Sequence, residues 1–508
     1  MHNDLDKVNK LEAYDICIVG SGPAGLSIAS KLINKGVKFI ILESGGVNPN
    51  PKYRELNEGY SKGPRKLDMV NSRLRAIGGA GKIWAGVCRP IDPEEFENKN
   101  KNFLGGWPIK YSDIEEYYKE AANMLGINFE EFFNYEWKKQ ARLAVKFEKF
   151  AEDKSLLRGV KYQRASAEKR DLGNTFQKLL FEDENCTFLT NATLTDIIQA
   201  DNKKIDHVIV RSFQGKKMKV FAKNFVICAG AIENPRILLD SSLNEKIKGN
   251  KFIGACFMSH PAFRGVGRIF KKDAIRNCEE NNLNLENDFG FEMISDERIK
   301  SSNLRHNIHF SPTKNLEVTS KDSNYYDIIR ANIELLARYS NKAICKIIGG
   351  EVNPRTWNID IAIEQEPRLN NKVALSNKTD RHGKRMVEIF WDSVSKREKQ
   401  TVIEAVKAVG RESMLTQTGL CRVSESLTNG EIFEQDDSIN HHIGTTRMAS
   451  SKKQGVVDSN LKIFGVENLF LSGSSVFPTS SIVNPTYTII ALSLRLGNHL
   501  LKQLELSS

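Results

Sequence analysis

Long hydrophobic runs are missing from this sequence. No stretch of about eighteen consecutive apolar residues occurs, which is the length that a membrane-spanning helix requires. The N-terminal segment MHNDLDKVNKLEAYD also lacks the apolar core and the cleavage pattern of a signal peptide. We therefore expect a soluble, cytoplasmic protein with no membrane partner.

Cysteine and histidine are scarce and scattered. The eight cysteines include no CxxC pair, and Cys17 and Cys228 lie within apolar runs, which favours buried thiols in a reducing compartment. The nine histidines show no spacing that is typical of metal ligands. We therefore predict no metal site.

Charge and length set further bounds. The net charge is +11, but lysines are spread over the whole chain, so no basic stripe indicates a nucleic-acid partner. A solvated surface and attraction of an anionic substrate both remain open as explanations. The 508 residues exceed one ordinary domain and suggest two.

The segment YDICIVGSGPAG (14–25) is typical of a nucleotide-binding turn. Its short apolar run predicts a buried strand. Gly20 permits the tight turn that follows, Gly22 lets the backbone approach a pyrophosphate, and Gly25 lets the next helix pack closely on the strand. A second predicted strand ends at Glu43, whose carboxylate would accept hydrogen bonds from a ribose. This order predicts dinucleotide binding.

Further turns of small residues follow. Their backbone N–H groups can face a phosphate or the edge of a planar ligand. They are formed by Gly78, Gly79 and Gly81, by Ala229 and Gly230, and by Gly473 and Ser474. Pro235 suits the first turn of a helix after the second of these turns, and Pro485 opens the last helix, with Asn484 as its candidate N-cap.

Six motifs together resemble those of the glucose-methanol-choline (GMC) oxidoreductases, which are FAD-dependent. In sequence order they are GSGPAG, GGAGKIW, AGAIENPRILL, EQEPRLNNKVALS, HHIGTTRM and NPTYT. The resemblance covers nearly the whole chain. It implies an α/β fold, with a discontinuous Rossmann-like FAD-binding domain and an inserted substrate domain of six antiparallel strands backed by helices.

The resemblance also implies domain boundaries. The expected FAD-binding domain comprises 1–110, 180–262 and 431–508, the connecting segment with helices comprises 111–179, and the substrate-binding domain comprises 263–430.

The same resemblance implies the reaction and its residues. His441, three residues before the glycine of the GT pair, corresponds to the catalytic base, and Asn484 would hold the alkoxide oxygen. The implied reaction oxidises a CH–OH group to a carbonyl, with hydride transfer to flavin N5. Because Asn484 stands where other members have a second histidine, the chain looks most like the sugar-oxidising, pyranose-oxidase-like branch, which favours a sugar or polyol substrate.

The residues that the resemblance assigns to FAD share a position in or near the turns described above. They are Gly20, Gly22, Gly25, Glu43, Gly78, Gly79, Gly81, Leu194, Ala229, Gly230, Gly473, Ser474, Pro485 and Thr486. Ile83 replaces the histidine that carries covalent flavin in some members, so we expect noncovalent FAD. Ala80 and Trp84 also depart from the family pattern and leave reactivity towards oxygen open.

Substrate contacts and alternatives complete the expectations. Gln365, Glu364 and His260 are candidates to reach a substrate hydroxyl, and His442 is a candidate to contact substrate or to position His441. The electron acceptor is oxygen or a redox partner, and the oligomeric state stays open. The alternatives are an oxidase or dehydrogenase of a non-sugar alcohol, a non-redox lyase on the same scaffold, and a protein in which FAD only supports the fold.

Overall fold

The structure is a computed structural model. It describes residues 2–97, 104–133, 156–201, 203–271, 289–293, 304–312, 356–434 and 439–506. Within these ranges, no helix combines the length and the apolar character needed to cross a membrane.

Strands and α-helices are numbered along the chain. The strands are β1 (His2–Asp4), β2 (Ala13–Val19), β3 (Phe39–Leu42), β4 (Gly59–Lys62), β5 (Val87–Cys88), β6 (Leu157–Lys161), β7 (Gln163–Arg164), β8 (Cys186–Thr190), β9 (Thr193–Gln199), β10 (Ile205–Arg211), β11 (Lys217–Ile227), β12 (Met258–His260), β13 (Ala262–Lys271), β14 (Phe289–Met293), β15 (His306–Pro312), β16 (Thr356–Ile363), β17 (Lys372–Thr379), β18 (Arg385–Phe390), β19 (Gly419–Val423), β20 (Ile439–Ile443) and β21 (Leu469–Leu471). The helices are α1 (Pro23–Leu32), α2 (Pro93–Glu97), α3 (Glu115–Leu125), α4 (Leu172–Glu182), α5 (Gly230–Leu239), α6 (Glu245–Lys248), α7 (Lys396–Leu415), α8 (Glu425–Thr428) and α9 (Pro485–Glu505).

The largest sheet has eight strands in the order β1-β8-β3-β2-β11-β10-β9, and β21 also pairs with β11. The pairs β1-β8, β8-β3, β3-β2, β2-β11 and β11-β21 are parallel, whereas β11, β10 and β9 form an antiparallel meander. All four residues of β3 are buried, as expected of a parallel strand with both faces covered. Helices α1 and α9 pack closely, because Gly497 has no side chain to meet Lys31.

A separate sheet of six antiparallel strands has the order β19-β13-β16-β15-β14-β6. In β16 every second residue from Trp357 to Ile363 is buried, which is the alternation of a sheet with one face on a core. Val402, Val406 and Val409 of α7 pack in the same core. These two sheets confirm the predicted fold class.

Smaller sheets connect the parts. Strand β12 pairs with β20, β18 pairs with both β17 and β4, and β5 pairs with β7. Strand β6 comes from the predicted connecting segment but forms an edge of the six-stranded sheet. The domain boundaries themselves stay predictions.

Helix α5 corrects one local prediction. It begins at Gly230, so Pro235 lies inside the helix rather than in its first turn. Proline has no N–H to give to the carbonyl four residues earlier. That carbonyl, of Ala231, instead accepts a hydrogen bond from the Thr445 hydroxyl at 2.7 Å. The tertiary contact therefore satisfies the group that Pro235 leaves unpaired.

Candidate active site

The turns of small residues converge on one cavity of about 550 Å³. It lies at the carboxyl ends of β2, β3 and β11, where ligands bind in open α/β sheets. The first two turns touch, since a Cβ at Gly79 would lie 2.9 Å from Cα of Gly22. The cavity is therefore a joint product of segments that are far apart in sequence.

Most residues that the sequence assigns to FAD line this cavity. They are Gly20, Gly22, Glu43, Gly79, Gly81, Leu194, Ala229, Gly230, Gly473, Ser474, Pro485 and Thr486. Gly25 and Gly78 do not line it. A Cβ at Gly25 would lie 1.9 Å from the Gly20 carbonyl oxygen, and one at Gly78, whose φ is +95°, would lie 2.6 Å from the Asp171 carboxylate. Both glycines therefore allow the turns to pack closely against neighbouring residues, without lining the cavity themselves.

Three helices begin at the cavity wall. The N-caps of α1, α5 and α9 are Gly22, Ala229 and Asn484, and none of them makes a side-chain capping hydrogen bond. By contrast, α7 has a complete capping box formed by Ser395 and Glu398. A helix N-terminus carries partial positive charge and N–H groups without helical partners. The convergence therefore suits an anionic ligand such as a pyrophosphate.

The glycines at these turns keep space for a ligand. A Cβ at Gly22, Gly230 or Gly473 would meet no protein atom within 4 Å, and the φ angles of Gly230 and Gly473 are +84° and +112°. A side chain there would enter the cavity, and at the two positive angles it would also strain the backbone. The turns thus fit a cofactor that approaches the backbone closely.

Glu43 lies buried at the end of β3. One carboxylate oxygen accepts from Oγ and N of Ser21 at 2.6 and 3.1 Å, and the other accepts from N of Gly45 at 2.8 Å. A carboxylate has about four acceptor positions. Oγ of Ser44 is also 3.4 Å from the second oxygen. A ribose hydroxyl would therefore replace only this long contact, while the other three hold the first turn in place.

His441 lies between two polar partners. Its Nδ1 is 2.9 Å from Nδ1 of His260, and its Nε2 is 3.3 Å from Nδ2 of Asn484. The pairing of β12 with β20 brings the two histidines together, and the start of α9 supplies the amide. Burial, with the neighbouring His260 and His442, lowers the pKa of His441 well below its usual value. Its imidazole is therefore neutral near neutral pH, with one unprotonated ring nitrogen.

His442 also lines the cavity, but its ring differs in environment from that of His441. Among the described residues its Nε2 has no hydrogen-bond partner, and its ring lies beside Phe257. Burial and the nearby Arg73 lower its pKa to about 3. Its backbone carbonyl accepts from Oγ of Ser474 at 2.5 Å. His442 therefore lines the cavity, and its Nε2 makes no hydrogen bond to Asn484.

Gln365 and Glu364 lie outside the lining of this cavity, and their expected contact with substrate stays a prediction. Oε1 of Gln365 accepts from N of Ser259 at 2.9 Å and from Nε1 of Trp391 at 3.2 Å. The carboxylate of Glu364 accepts from N of Arg305 at 3.2 Å. Both side chains are buried, and buried polar groups are normally used to satisfy their neighbours.

Ile83 and Trp84 line the cavity from the glycine-rich loop. The Ile83 side chain is 56% exposed, and its aliphatic carbons offer no nucleophile for a covalent bond to flavin. Nε1 of Trp84 donates to the carbonyl of Arg170 at 2.9 Å. The loop is also anchored by Lys82, whose ammonium lies 2.6 Å from the Asp171 carboxylate.

A buried ion-pair network on the cavity wall was not anticipated from the sequence. Nη1 of Arg73 lies 2.7 Å from Glu233, and Arg236 bridges Glu233 at 3.2 Å to Asp380 at 2.6 Å. Burial alone raises the pKa of Glu233, but the surrounding guanidinium groups outweigh it and lower the pKa. Arg73 and Glu233 are 160 positions apart, so no local pattern in the sequence indicates their pairing.

Metal ligands are not clustered in the part of the chain that is described. No group of three or more histidine, cysteine, aspartate or glutamate side chains there is arranged to hold a metal ion.

Comparison with known proteins identifies the family. Residues 69–262 match the N-terminal and residues 367–493 match the C-terminal sequence model described as GMC oxidoreductase. The chain belongs to the GMC oxidoreductase family. It is therefore an FAD oxidoreductase acting on CH–OH donors.

Full-length relatives of this GMC oxidoreductase are distant. The large subunit of fructose dehydrogenase from Gluconobacter japonicus is 20% identical over 98% of this chain and 99% of its own. The 2-methyl-1,2-propanediol dehydrogenase of Mycolicibacterium austroafricanum is also 20% identical, over 96% and 95%. The crystal structure of pyridoxine 4-oxidase from Mesorbium loti superposes with a TM-score of 0.58 at 15% identity, over 96% and 99%, which supports the shared fold.

Proposed function

We propose that this GMC oxidoreductase oxidises a CH–OH group of a sugar, polyol or sugar derivative to the carbonyl, with His441 as the catalytic base. The observation that carries the proposal is the contact of His441 Nε2 with the Asn484 amide at the cavity wall. A basic nitrogen and a hydrogen-bond donor that meet beside a cofactor cavity are the two groups that removal of a hydroxyl proton requires.

The residues at the cavity fit FAD. Gly22, Gly79 and the start of α1 would hold its pyrophosphate, Glu43 its ribose, and the start of α9 its ring. When bound, FAD supplies the acceptor for the hydride. Because Ile83 occupies the position of the covalent link, the proposal includes noncovalent binding. Acid precipitation should release the flavin into the supernatant, and yellow protein in the pellet would contradict this part.

His441 and Asn484 divide the work on the substrate hydroxyl. Nε2 of His441 accepts the hydroxyl proton, and the Asn484 amide donates a hydrogen bond to the alkoxide oxygen that results. Because burial keeps His441 neutral, its lone pair is available without prior deprotonation. General-base help of this kind typically contributes ~10²–10⁴-fold to the rate.

The substrate class rests on two supports. Asn484 takes the place of a second histidine, as in the sugar-oxidising branch that the sequence resembles. Two full-length relatives carry names that refer to fructose and to a propanediol. Both names describe polyhydroxylated substrates, and both proteins are named as dehydrogenases.

Anaerobic reduction of the bound flavin tests the proposal. The purified holoenzyme is mixed with pools of sugars, polyols, glycosides, nucleotide sugars and simple alcohols while the visible flavin band is recorded. We expect bleaching by a sugar or polyol pool. Bleaching only by simple alcohols would overturn the substrate class. No bleaching by any pool, with flavin still reducible by dithionite, would favour the lyase on the same scaffold.

A further inference from the structure

We infer that His260 is a positioning residue. It donates a hydrogen bond to the carbonyl of Ser480, and its other ring nitrogen thereby selects the proton-accepting tautomer of His441. The inference rests on the proposed role of His441 as base. It gives a role to a buried histidine that the proposed reaction otherwise leaves unused.

The first step is the contact between His260 and Ser480. Nε2 of His260 lies 3.1 Å from the backbone carbonyl oxygen of Ser480. A carbonyl oxygen can only accept, so Nε2 of His260 carries the hydrogen. In a neutral imidazole the other nitrogen is then an acceptor. Nδ1 of His260 is therefore unprotonated and can only accept.

The second step carries this choice to His441. The two Nδ1 atoms lie 2.9 Å apart, so one must donate and the other must accept. Since Nδ1 of His260 is unprotonated, Nδ1 of His441 carries the hydrogen and donates it to Nδ1 of His260. A neutral His441 then has an unprotonated Nε2, which is the nitrogen that faces Asn484 in the cavity.

The third step is an independent check at the other end. Nδ2 of Asn484 lies 3.3 Å from Nε2 of His441, and an amide nitrogen only donates. The contact therefore also requires an unprotonated Nε2 on His441. The chain of donors runs without conflict from Asn484 through His441 and His260 to Ser480.

The opposite direction of hydrogen bonding between the two histidines would require a buried charge. If His441 carried its hydrogen on Nε2, Nδ1 of His260 would have to donate as well, which makes His260 an imidazolium. The His260 side chain is 1% exposed, and burial lowers its pKa to about 4, although Glu364 and the Ser480 and Ser481 backbone oppose this. Near neutral pH the neutral arrangement is therefore the stable one.

Gln365 holds the segments on both sides of the hydrogen bond between His260 and Ser480. Its Oε1 accepts from N of Ser259, the residue before His260. Its backbone N donates to Oγ of Ser480 at 2.9 Å, the residue whose carbonyl accepts from His260. The residue predicted to touch substrate thus holds the strand and the loop that carry the relay.

Two substitutions separate relay from packing. His260→Phe keeps the ring volume but removes the acceptor, so a hydrogen on Nδ1 of His441 would be left without a partner. His441 should then take the tautomer with hydrogen on Nε2, and the Asn484 amide should turn its oxygen towards that nitrogen to accept it. His260→Asn places an amide oxygen at the position of Nδ1 and restores the acceptor. We expect His260→Phe to slow anaerobic flavin reduction at least ~10²-fold with KM nearly unchanged, and His260→Asn to recover within ~10-fold of the parent rate.

The tautomer itself is measured by nitrogen NMR of protein labelled with ¹⁵N-histidine, in the holoenzyme without substrate. The His441 signals are assigned by their loss in His441→Ala. We expect an unprotonated Nε2 and a protonated Nδ1 in the parent and in His260→Asn, and the reverse in His260→Phe. If His260→Phe fails to fold or to retain FAD, a protonated Nε2 in the parent spectrum would still overturn the inference.

Three results would overturn the inference: a protonated Nε2 in the parent, an unchanged His441 spectrum in His260→Phe, or a His260→Phe variant that reduces flavin at the parent rate. Failure of the proposed function looks different, since His441→Ala would then reduce flavin normally whatever the nitrogen signals show.

Discussion

At the scale of single residues, Asn484 has two roles, one at the start of a helix and one in the candidate site. It occupies the N-cap position of α9, with Pro485 at the first helical position, as the sequence predicts. Its side chain, however, does not cap the helix and instead meets His441. The first N–H groups of α9 therefore remain available to a ligand, and the amide becomes part of the site.

Gly22→Ala should weaken FAD binding without harming the fold. The φ of Gly22 is −75°, which alanine adopts without strain, and its Cβ would meet no protein atom within 4 Å. The added methyl would occupy the space that the pyrophosphate approaches. We expect at least ~10-fold weaker FAD binding by titration of the apoprotein, while the free energy of unfolding of the apoprotein is unchanged or rises by up to ~1 kcal/mol.

Gly410→Ala is the matched control for this change. Gly410 lies within α7, and its Cβ would make only ordinary contacts, at 3.9 and 4.0 Å, with Cys421. Alanine in a helix interior should stabilise the protein by about 0.5–1 kcal/mol and leave FAD affinity unchanged. Parent-like FAD affinity in Gly22→Ala would contradict the assignment of this turn to the cofactor.

Residue-level expectations from the sequence succeed where a local rule is sufficient. Gly20 and Gly25 perform the roles that their spacing predicts, because strand, turn and helix are neighbours in the chain. Gln365 and His260 could not be placed, because their partners Ser480 and His441 are more than a hundred positions away. Polar residues in a strand carry no local signal that distinguishes a substrate contact from an internal one.

At the scale of elements, the active site depends on where helices and strands begin and end. Helices α1, α5 and α9 each start at the cavity. Strands β12 and β20 pair at the site, which brings His260 and His441 within hydrogen-bond distance. The short pairing of β12 with β20 is a contact that hydrophobic periodicity in the sequence does not encode.

Asp171→Ala should loosen the flavin loop and the helix behind it. Asp171 is the N-cap of α4 and accepts from N of Gly173 at 2.9 Å, and its other oxygen lies 2.6 Å from Nζ of Lys82. Loss of the cap typically costs about 0.5–2 kcal/mol, and loss of the ion pair frees the loop around Gly79. We expect lower stability in urea and faster loss of FAD on dilution.

Asp171→Asn separates the two effects, because asparagine caps helices as well as aspartate does but cannot form the ion pair. It should keep most of the stability while still losing FAD faster than the parent. Equal FAD retention in parent, Asn and Ala variants would show that the anchor at Lys82 does not govern the loop.

At the scale of the whole molecule, the cavity is assembled from segments near the beginning, the middle and the end of the chain. Motif order in the sequence predicts this assembly and the fold class, because each motif has a fixed place in the family. The ion-pair network of Arg73, Glu233 and Arg236 joins the AGAIENPRILL motif, which contains Glu233 and Arg236, to Arg73, which lies outside the six motifs. It results from packing of distant segments and becomes visible only in the folded structure.

Stability should fall as the pH is lowered below about 6.5, partly because the folded protein keeps His442 neutral. Its pKa is lowered to about 3, so between these values the unfolded chain binds a proton that the folded protein excludes. Each such histidine contributes up to about 1.4 kcal/mol per pH unit to the slope. His442→Gln should therefore show a shallower loss of stability between pH 7 and pH 5, measured by urea unfolding at saturating FAD. Parallel curves for the parent and the variant would contradict a His442 that stays neutral in the folded protein.

The most direct test of the central claim is anaerobic stopped-flow reduction of the flavin in His441→Ala by the substrate that bleaches the parent. His499→Gln, a change on α9 outside the cavity lining, serves as the control. We expect His441→Ala to retain FAD and to lose ~10²–10⁴-fold in reduction rate, with His499→Gln close to the parent. Reduction of His441→Ala at the parent rate would contradict the account.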